Sequence, residues 1–173
     1  FAGIWLEKNQ DLVEKIIRSG HKIENHSYSH RHIIELEEKE ITEEIEQTGT
    51  LIKKLTGQKP VFFRPPYGEY NNTLIKIARQ KGYQVVQWSI DTHDWMNPGI
   101  DYVISRIENN IKGGDILLFH NNAENIVKIM DIIIPKLKKD YQIVPLSELI
   151  FKNDYKIRSF DGLQYQNAGG EDN

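Results

Sequence analysis

Residues 61–68 read Val61-Phe62-Phe63-Arg64-Pro65-Pro66-Tyr67-Gly68, and their pattern decides the fold. An apolar run too short for a helix stops abruptly in a loop that two prolines stiffen, each locking its own φ and restricting its predecessor. The helical pattern of residues 72–81 follows, then a second apolar run over 84–90 that opens into Asp91-Thr92-His93-Asp94-Trp95. The same order repeats downstream. A helix is expected near 101–111, closed by Gly113-Gly114, then a strand over 115–119 delivering His120-Asn121-Asn122, a helix over 123–138 and a last strand over 142–144.

Upstream the rhythm is the same. Leu12, Val13, Ile16 and Ile17 recur at helical spacing over 9–19, with Gly20 where a C-terminal cap belongs. Residues 21–25 form an expected strand ending in His26-Ser27-Tyr28-Ser29-His30, and 37–55 carry Ile41, Ile45, Leu51, Ile52 and Leu55 on one helical face before Gly57. Residues 1–6 read as the end of a strand running into a loop, which implies further residues upstream. Strands alternating with helices across short loops imply parallel pairing and right-handed crossovers, hence an α/β sheet or barrel. Every polar cluster falls at a strand's C-terminal end, the face where such folds build their sites. Beyond Ile150 the chain turns polar, and residues 167–173 read as a mobile tail.

The 173 residues, 39% hydrophobic and 27% charged, suffice for one domain with a real core. A formal net charge of -3 gives no reason to expect nucleic acid or an anionic membrane as partner. Cysteine is absent, so any metal bound by this chain must be held by His and carboxylates. No apolar run approaches the ~20 residues that cross a bilayer.

His26 and His30 are four residues apart, a spacing that lets two imidazoles share one metal and that also suits surface or capping residues. His32 falls outside that spacing and reads as solvated, and His21 as a strand residue. Arg64 beside the Pro-Pro turn is either scaffold or site; a buried guanidinium there needs a carboxylate. Asp94 sits beside the flat surface of Trp95, and His120 leaves an apolar run. A carboxylate accepting from one imidazole nitrogen sets the tautomer of the other, the arrangement of a catalytic His. Each cluster alone is weak evidence; four on one face favour an active site.

In order and rough spacing, His26-Ser-Tyr-Ser-His30, Arg64-Pro-Pro-Tyr67, Asp91-Thr-His-Asp-Trp95 and Ile116-Leu-Leu-Phe-His120 resemble motifs two to five of the polysaccharide deacetylases with a NodB-homology domain, carbohydrate esterase family four. The resemblance spans roughly 1–150. It implies a deformed (β/α) barrel of parallel strands whose N-terminal strands lie outside this chain, with a catalytic domain over 1–151 and a polar, partly disordered extension over 152–173. It implies a divalent metal, usually zinc, held by His26 and His30, with a third ligand and a general base from an aspartate motif upstream. It further implies that Arg64 orients that base, the Tyr67 N–H helps hold the oxyanion, Asp94 tunes the general acid His120, and Trp95 and Leu118 wall the acetyl pocket. Asp91, the other acid of the Asp94 loop, is expected to play a structural part.

The activity implied is hydrolysis of N-acetyl groups, a linear-amide hydrolase reaction, on an amino-sugar polymer such as peptidoglycan or chitin-like N-acetylglucosamine, at the cell envelope or outside the cell. This chain by itself is expected to be inactive without the upstream segment. Two other readings stand beside this one. A non-catalytic carbohydrate-binding or scaffold domain would have no chemical need of a proton donor such as His120. A glycoside hydrolase needs carboxylates on both sides of the scissile bond, whereas Asp91 and Asp94 share one loop.

Overall fold

The computed structural model describes residues 1–158 and 162–166. The chain divides into two compact units, Phe1–Ser89 and Ile90–Asn173.

In the first unit, α1 (Gly3–Lys8) and α2 (Gln10–Arg18) precede α3 (Glu38–Thr56), β1 (Phe62–Phe63), α4 (Asn72–Gln80) and β2 (Gln84–Val85). The helix α1 corrects the expectation of a strand end over residues 1–6. Six residues offer no periodicity to read, and the helix is set instead by partners distant in sequence. The N–H groups of Gly3 and Ile4 donate to the Ser27 and Tyr28 carbonyls at 2.9 and 3.0 Å, satisfying first-turn donors that a short helix otherwise leaves to solvent. Leu6 is fully buried with Val13, Ile23 and Ile52. Gly3 is required there, because a Cβ would collide with the Tyr28 ring.

The helix α3 begins where the Glu40 carboxylate accepts the Glu37 N–H at 3.1 Å, and it ends at Gly57, whose φ of 73° is the left-handed conformation that stops a helix. Its apolar stripe, Ile41 and Ile45, packs with Ile33, Phe63, Leu74, Ile77, Ala78 and Tyr83. Asn71 caps α4 by accepting the Leu74 N–H at 2.8 Å.

β1 and β2 pair in parallel, Phe62 with Gln84 and Phe63 with Val85. The strand expected over 21–25 contracts to one parallel bridge, Asn25 to Phe63. Glu24 explains the contraction: its carboxylate accepts the Val61 and Phe62 N–H groups at 2.8 and 2.9 Å, taking the place of ladder bonds. The run over 84–90 is likewise two strands. Val86 N–H still reaches the Phe63 carbonyl at 2.9 Å, but beyond it the facing chain is Arg64-Pro65-Pro66, and prolines have no N–H to continue a ladder.

In the second unit, β3 (Ile90–Asp91) pairs in parallel with β4 (Leu117–Leu118), and α5 (Ile100–Glu108) packs on α6 (Ile126–Asp140) through Val103, Ile104, Ile107, Ile129, Ile133 and Leu137. The helix α5 stops at Glu108, ahead of Gly113-Gly114. Residues 142–144 form no strand among the described residues, and the short α7 (Leu146–Leu149) follows. Past it, β5 (Tyr155–Ile157) and β6 (Gln164–Gln166) pair antiparallel, which the polar composition did not announce. The expected mobile tail over 167–173 lies outside the described residues. The α/β class stands in both units, with parallel pairs β1–β2 and β3–β4.

Candidate metal pair and catalytic dyad

The loop after Asn25 brings the two imidazoles of the first unit together. His26 and His30 have ring centroids 4.9 Å apart, edge to face at 76°. His26 Nδ1 lies 2.6 Å from the Arg64 carbonyl. A carbonyl only accepts, so Nδ1 carries the proton and Nε2 the lone pair, the tautomer of a ligating histidine. Burial, partly offset by that bond to Arg64, lowers the His26 pKa to about 3, which keeps the ring neutral and able to ligate. The donor set fits a divalent metal as two of its ligands. No group of three metal-ligating side chains occurs among the described residues.

The backbone here is shaped at a cost. Ser27 and His30 adopt φ of 61° and 60°, a left-handed conformation unfavourable to side chains with a Cβ. Several groups hold it. Asn25 is buried, donates to the Ile45 carbonyl at 2.8 Å and accepts the Ser27 N–H at 3.1 Å. Ser27 Oγ accepts the His30 N–H at 3.1 Å. Glu44 of α3 accepts the Tyr28 and Ser29 N–H groups, each at 2.8 Å, and the Ser29 hydroxyl at 2.5 Å. None of these holders except Ser27 lies within the histidine motif. Glu44 left one signal in the sequence, an acid within the apolar stripe of Ile41, Ile45 and Ile52.

Arg64 leaves β1 into the Pro-Pro turn, and its guanidinium carbon lies 5.9 Å from the Trp88 ring centroid. Its Nε is buried with no hydrogen-bond partner, and among the described residues no carboxylate pairs with it. Burial pushes its pKa down. Tyr67 takes φ 57°, and its ring meets His30 edge-on at 4.8 Å and stacks on His32 at 4.1 Å. His32, expected to be solvated, also lies 2.9 Å from the Glu69 carboxylate, although its side chain is half exposed. His21 is exposed and outside any strand. Gln87 donates to the Gly68 carbonyl at 2.5 Å, and a Cβ on Gly68 would meet the Trp88 ring at 2.8 Å. Gln87 and Trp88 thus shape the turn, although neither stood out in the sequence.

The second unit holds the dyad. Asp94 is 2% exposed. Its Oδ1 lies 2.8 Å from His120 Nδ1 and accepts the Trp95 N–H at 2.9 Å, while Oδ2 accepts the His120 N–H at 2.7 Å. The carboxylate makes Nδ1 the protonated nitrogen of neutral His120 and leaves Nε2 to exchange a proton. Asp91 Oδ1 accepts the His93 N–H at 2.9 Å, a local turn in keeping with a structural part. Arg106 of α5, unremarked in the sequence, donates to the Asp91 carbonyl at 2.7 Å and braces this loop. Leu118 is partly buried in β4, and Trp95 is half exposed.

A family model described as polysaccharide deacetylase matches residues 1–86. The chain is 34% identical, over 154 residues, to a peptidoglycan-N-acetylglucosamine deacetylase of Bacillus cereus, covering 86% of this chain and 72% of that protein. Among solved structures, a family 4 carbohydrate esterase from Streptomyces lividans in complex with acetate matches with a TM-score of 0.75 at 30% identity, over 80% of this chain and 71% of that one. A CE4 family pseudoenzyme from Bacillus anthracis matches with a TM-score of 0.82 at 30% identity, over 86% of this chain and 53% of the other. By these likenesses the chain belongs to the polysaccharide deacetylase family, carbohydrate esterase family four.

Proposed function

We propose that the intact protein is a metal-dependent deacetylase that hydrolyses N-acetyl groups on an amino-sugar polymer of the cell envelope, peptidoglycan or a chitin-like N-acetylglucosamine chain. The observation that carries this reading is the Asp94–His120 dyad, an oriented proton donor that a mere binding module has no chemical use for. The relative named a peptidoglycan-N-acetylglucosamine deacetylase favours the substrate.

In this reading His26 and His30 hold the metal, most suitably zinc given two nitrogen donors. When bound, such a metal supplies a Lewis acid that polarises an amide oxygen and acidifies water. Tyr67 N–H donates to the oxyanion of the tetrahedral intermediate on the substrate carbonyl. His120 enters this step protonated on both ring nitrogens, gives its Nε2 proton to the departing sugar amine and is left as the neutral Nδ1–H tautomer that Asp94 holds; the step is necessary because an amide anion is a very poor leaving group. Asp94 keeps the His120 ring in position, and Trp95 and Leu118 receive the acetyl methyl. Arg64 orients a carboxylate base. That base and the third metal ligand are assigned to a segment upstream of Phe1. The Arg64 Nε, buried with no hydrogen-bond partner among the described residues, supports this assignment, since a carboxylate would give that charged donor an acceptor. Residues 1–151 then belong to one catalytic domain, a deformed (β/α) barrel completed by the upstream strands, with 152–173 as an extension.

The second reading, a non-catalytic descendant of the fold, is favoured by the similarity to the Bacillus anthracis pseudoenzyme. Acetate release separates the two. The full-length protein with zinc is expected to free acetate from N-acetylglucosamine oligomers and to lose this with His120→Ala, while residues 1–173 alone release none. No release by the full-length protein at any zinc concentration would establish the second reading.

A further inference from the structure

We propose that Glu44 is a positioning residue for the metal, setting the geometry of His26 and His30 from α3 without touching either ring; the proposal rests on the reading of that pair as metal-holding. The Glu44 carboxylate is 6% exposed and spends its acceptor capacity on the two residues midway between the histidines. Oε2 accepts both the Tyr28 and Ser29 N–H groups at 2.8 Å, and Oε1 accepts the Ser29 hydroxyl at 2.5 Å. Arg31 adds an ion pair to Oε1 at 3.5 Å from the far side of His30. Burial alone would raise the Glu44 pKa, but the Ser29 hydroxyl, the two N–H groups and Arg31 outweigh it and bring it below the ordinary value, so the group is an anion at neutral pH.

This bridge acts where the chain resists its own conformation. Ser27 and His30 flank the gripped residues, and both are left-handed. Without a buried anion drawing in two consecutive N–H groups, Tyr28 and Ser29 would expose unsatisfied donors and the loop would relax toward ordinary dihedrals. His26 would keep its bond to the Arg64 carbonyl, so relaxation would move His30 relative to it. A metal that needs both nitrogens at ~2.0–2.1 Å registers such a movement as lost affinity. The other braces on the loop serve other groups: the Gly3 and Ile4 N–H groups use the carbonyls of Ser27 and Tyr28, and Asn25 and Ser27 Oγ accept the N–H groups of Ser27 and His30, which leaves the Tyr28 and Ser29 N–H groups to Glu44.

The test uses the full-length protein, with zinc affinity measured by competition against a chromophoric chelator and with the visible spectrum of the cobalt-loaded form. Glu44→Ala is expected to weaken zinc by about 10- to 100-fold, the range for partners that orient metal ligands, and to shift the cobalt bands. Saturating zinc should restore most of kcat. Glu44→Gln keeps one acceptor oxygen and should fall between wild type and Glu44→Ala; it decides the matter if the alanine variant does not fold. Glu40→Ala, which removes the exposed partner of Arg31 and the bond to the Glu37 N–H at the start of α3 but no bond to the Tyr28 and Ser29 N–H groups, should bind as wild type does. Wild-type zinc affinity and cobalt spectrum in a folded Glu44→Ala or Glu44→Gln protein would overturn the proposal. His26→Ala separates this failure from that of the underlying reading: if it too binds zinc normally, the histidine pair is not the metal site.

Discussion

Replacing Asp94 by Asn tests the dyad with almost no change of shape. Three N–H donors converge on the two carboxylate oxygens, Trp95 N and His120 Nδ1 on Oδ1 and His120 N on Oδ2. An asparagine has one acceptor. The better orientation keeps its oxygen toward the first two donors and turns its NH₂ group against the His120 N–H. A buried donor facing a donor costs about 1–3 kcal/mol, so with ~2–4 °C lost per kcal/mol in a chain of this size, Tm should fall by roughly 2–12 °C. The surviving bond to Nδ1 now has a neutral acceptor. Bonds to charged groups contribute ~1.5–3 kcal/mol against ~0.5–1.5 for neutral ones, a difference of about 1–1.5 kcal/mol, or roughly tenfold in rate if all of it is expressed in the transition state. The full-length Asp94→Asn enzyme should therefore lose about tenfold in kcat with KM nearly unchanged. His120→Ala, which removes the proposed proton donor, should lose ~10²–10⁴-fold. Acetate release read alongside thermal unfolding separates the two effects. Unaltered kcat in a folded Asp94→Asn protein would refute the role given to the pair.

Gly68→Ala would place a methyl 2.8 Å from the Trp88 ring at a φ of 73°, so thermal unfolding should show a loss of about 1–3 kcal/mol and acetate release a lower kcat. Phe63→Ala removes a fully buried ring from the core of the first unit, and chemical denaturation should report a loss of about 3–5 kcal/mol. The lowered pKa of His26 gives a pH signature in the metal-free protein. The unfolded chain takes up a proton near pH 6.5 that the folded state refuses until about 3, so this contribution is whole above 6.5 and is lost as pH falls through that window. His26→Ala should flatten the fall of Tm between those limits.

The alternation of short apolar runs with helical stripes is enough to place β1, α3, α4, α5, β4 and α6 in order, and to mark the run that the structure divides into β2 and β3, because their periods come from residues adjacent in sequence. Where partners remote in sequence decide the conformation, local pattern was silent. The helix α1 depends on carbonyls some 25 residues away, and the strand over 21–25 was shortened by a single side chain, Glu24. The site divides in the same way. His26, His30, Arg64, Asp94 and His120 stand in recognisable motifs; the rings of His26 and His30 lie 4.9 Å apart and Asp94 meets His120 Nδ1 at 2.8 Å. Asn25, Glu44, Gln87, Trp88 and Arg106, which shape the backbone around those residues, act through hydrogen bonds or ring contacts rather than through a repeated pattern, and of them Glu44 alone, an acid within an apolar stripe, leaves a trace in the periodicity.

The left-handed residues at Ser27, His30, Tyr67 and His93 have a practical consequence for anyone improving this protein by random mutagenesis. Glycine adopts such dihedrals without strain, and each replacement could recover about 1–2 kcal/mol. A screen that rewards heat resistance alone will therefore drift toward glycine at these positions. At 27 that discards the hydroxyl holding the His30 N–H, and at 30 an imidazole itself. Selection for survival at high temperature and selection for turnover should enrich opposite residues at these loop positions and the same residues in the helices, so sequencing both pools would mark the loops by their disagreement.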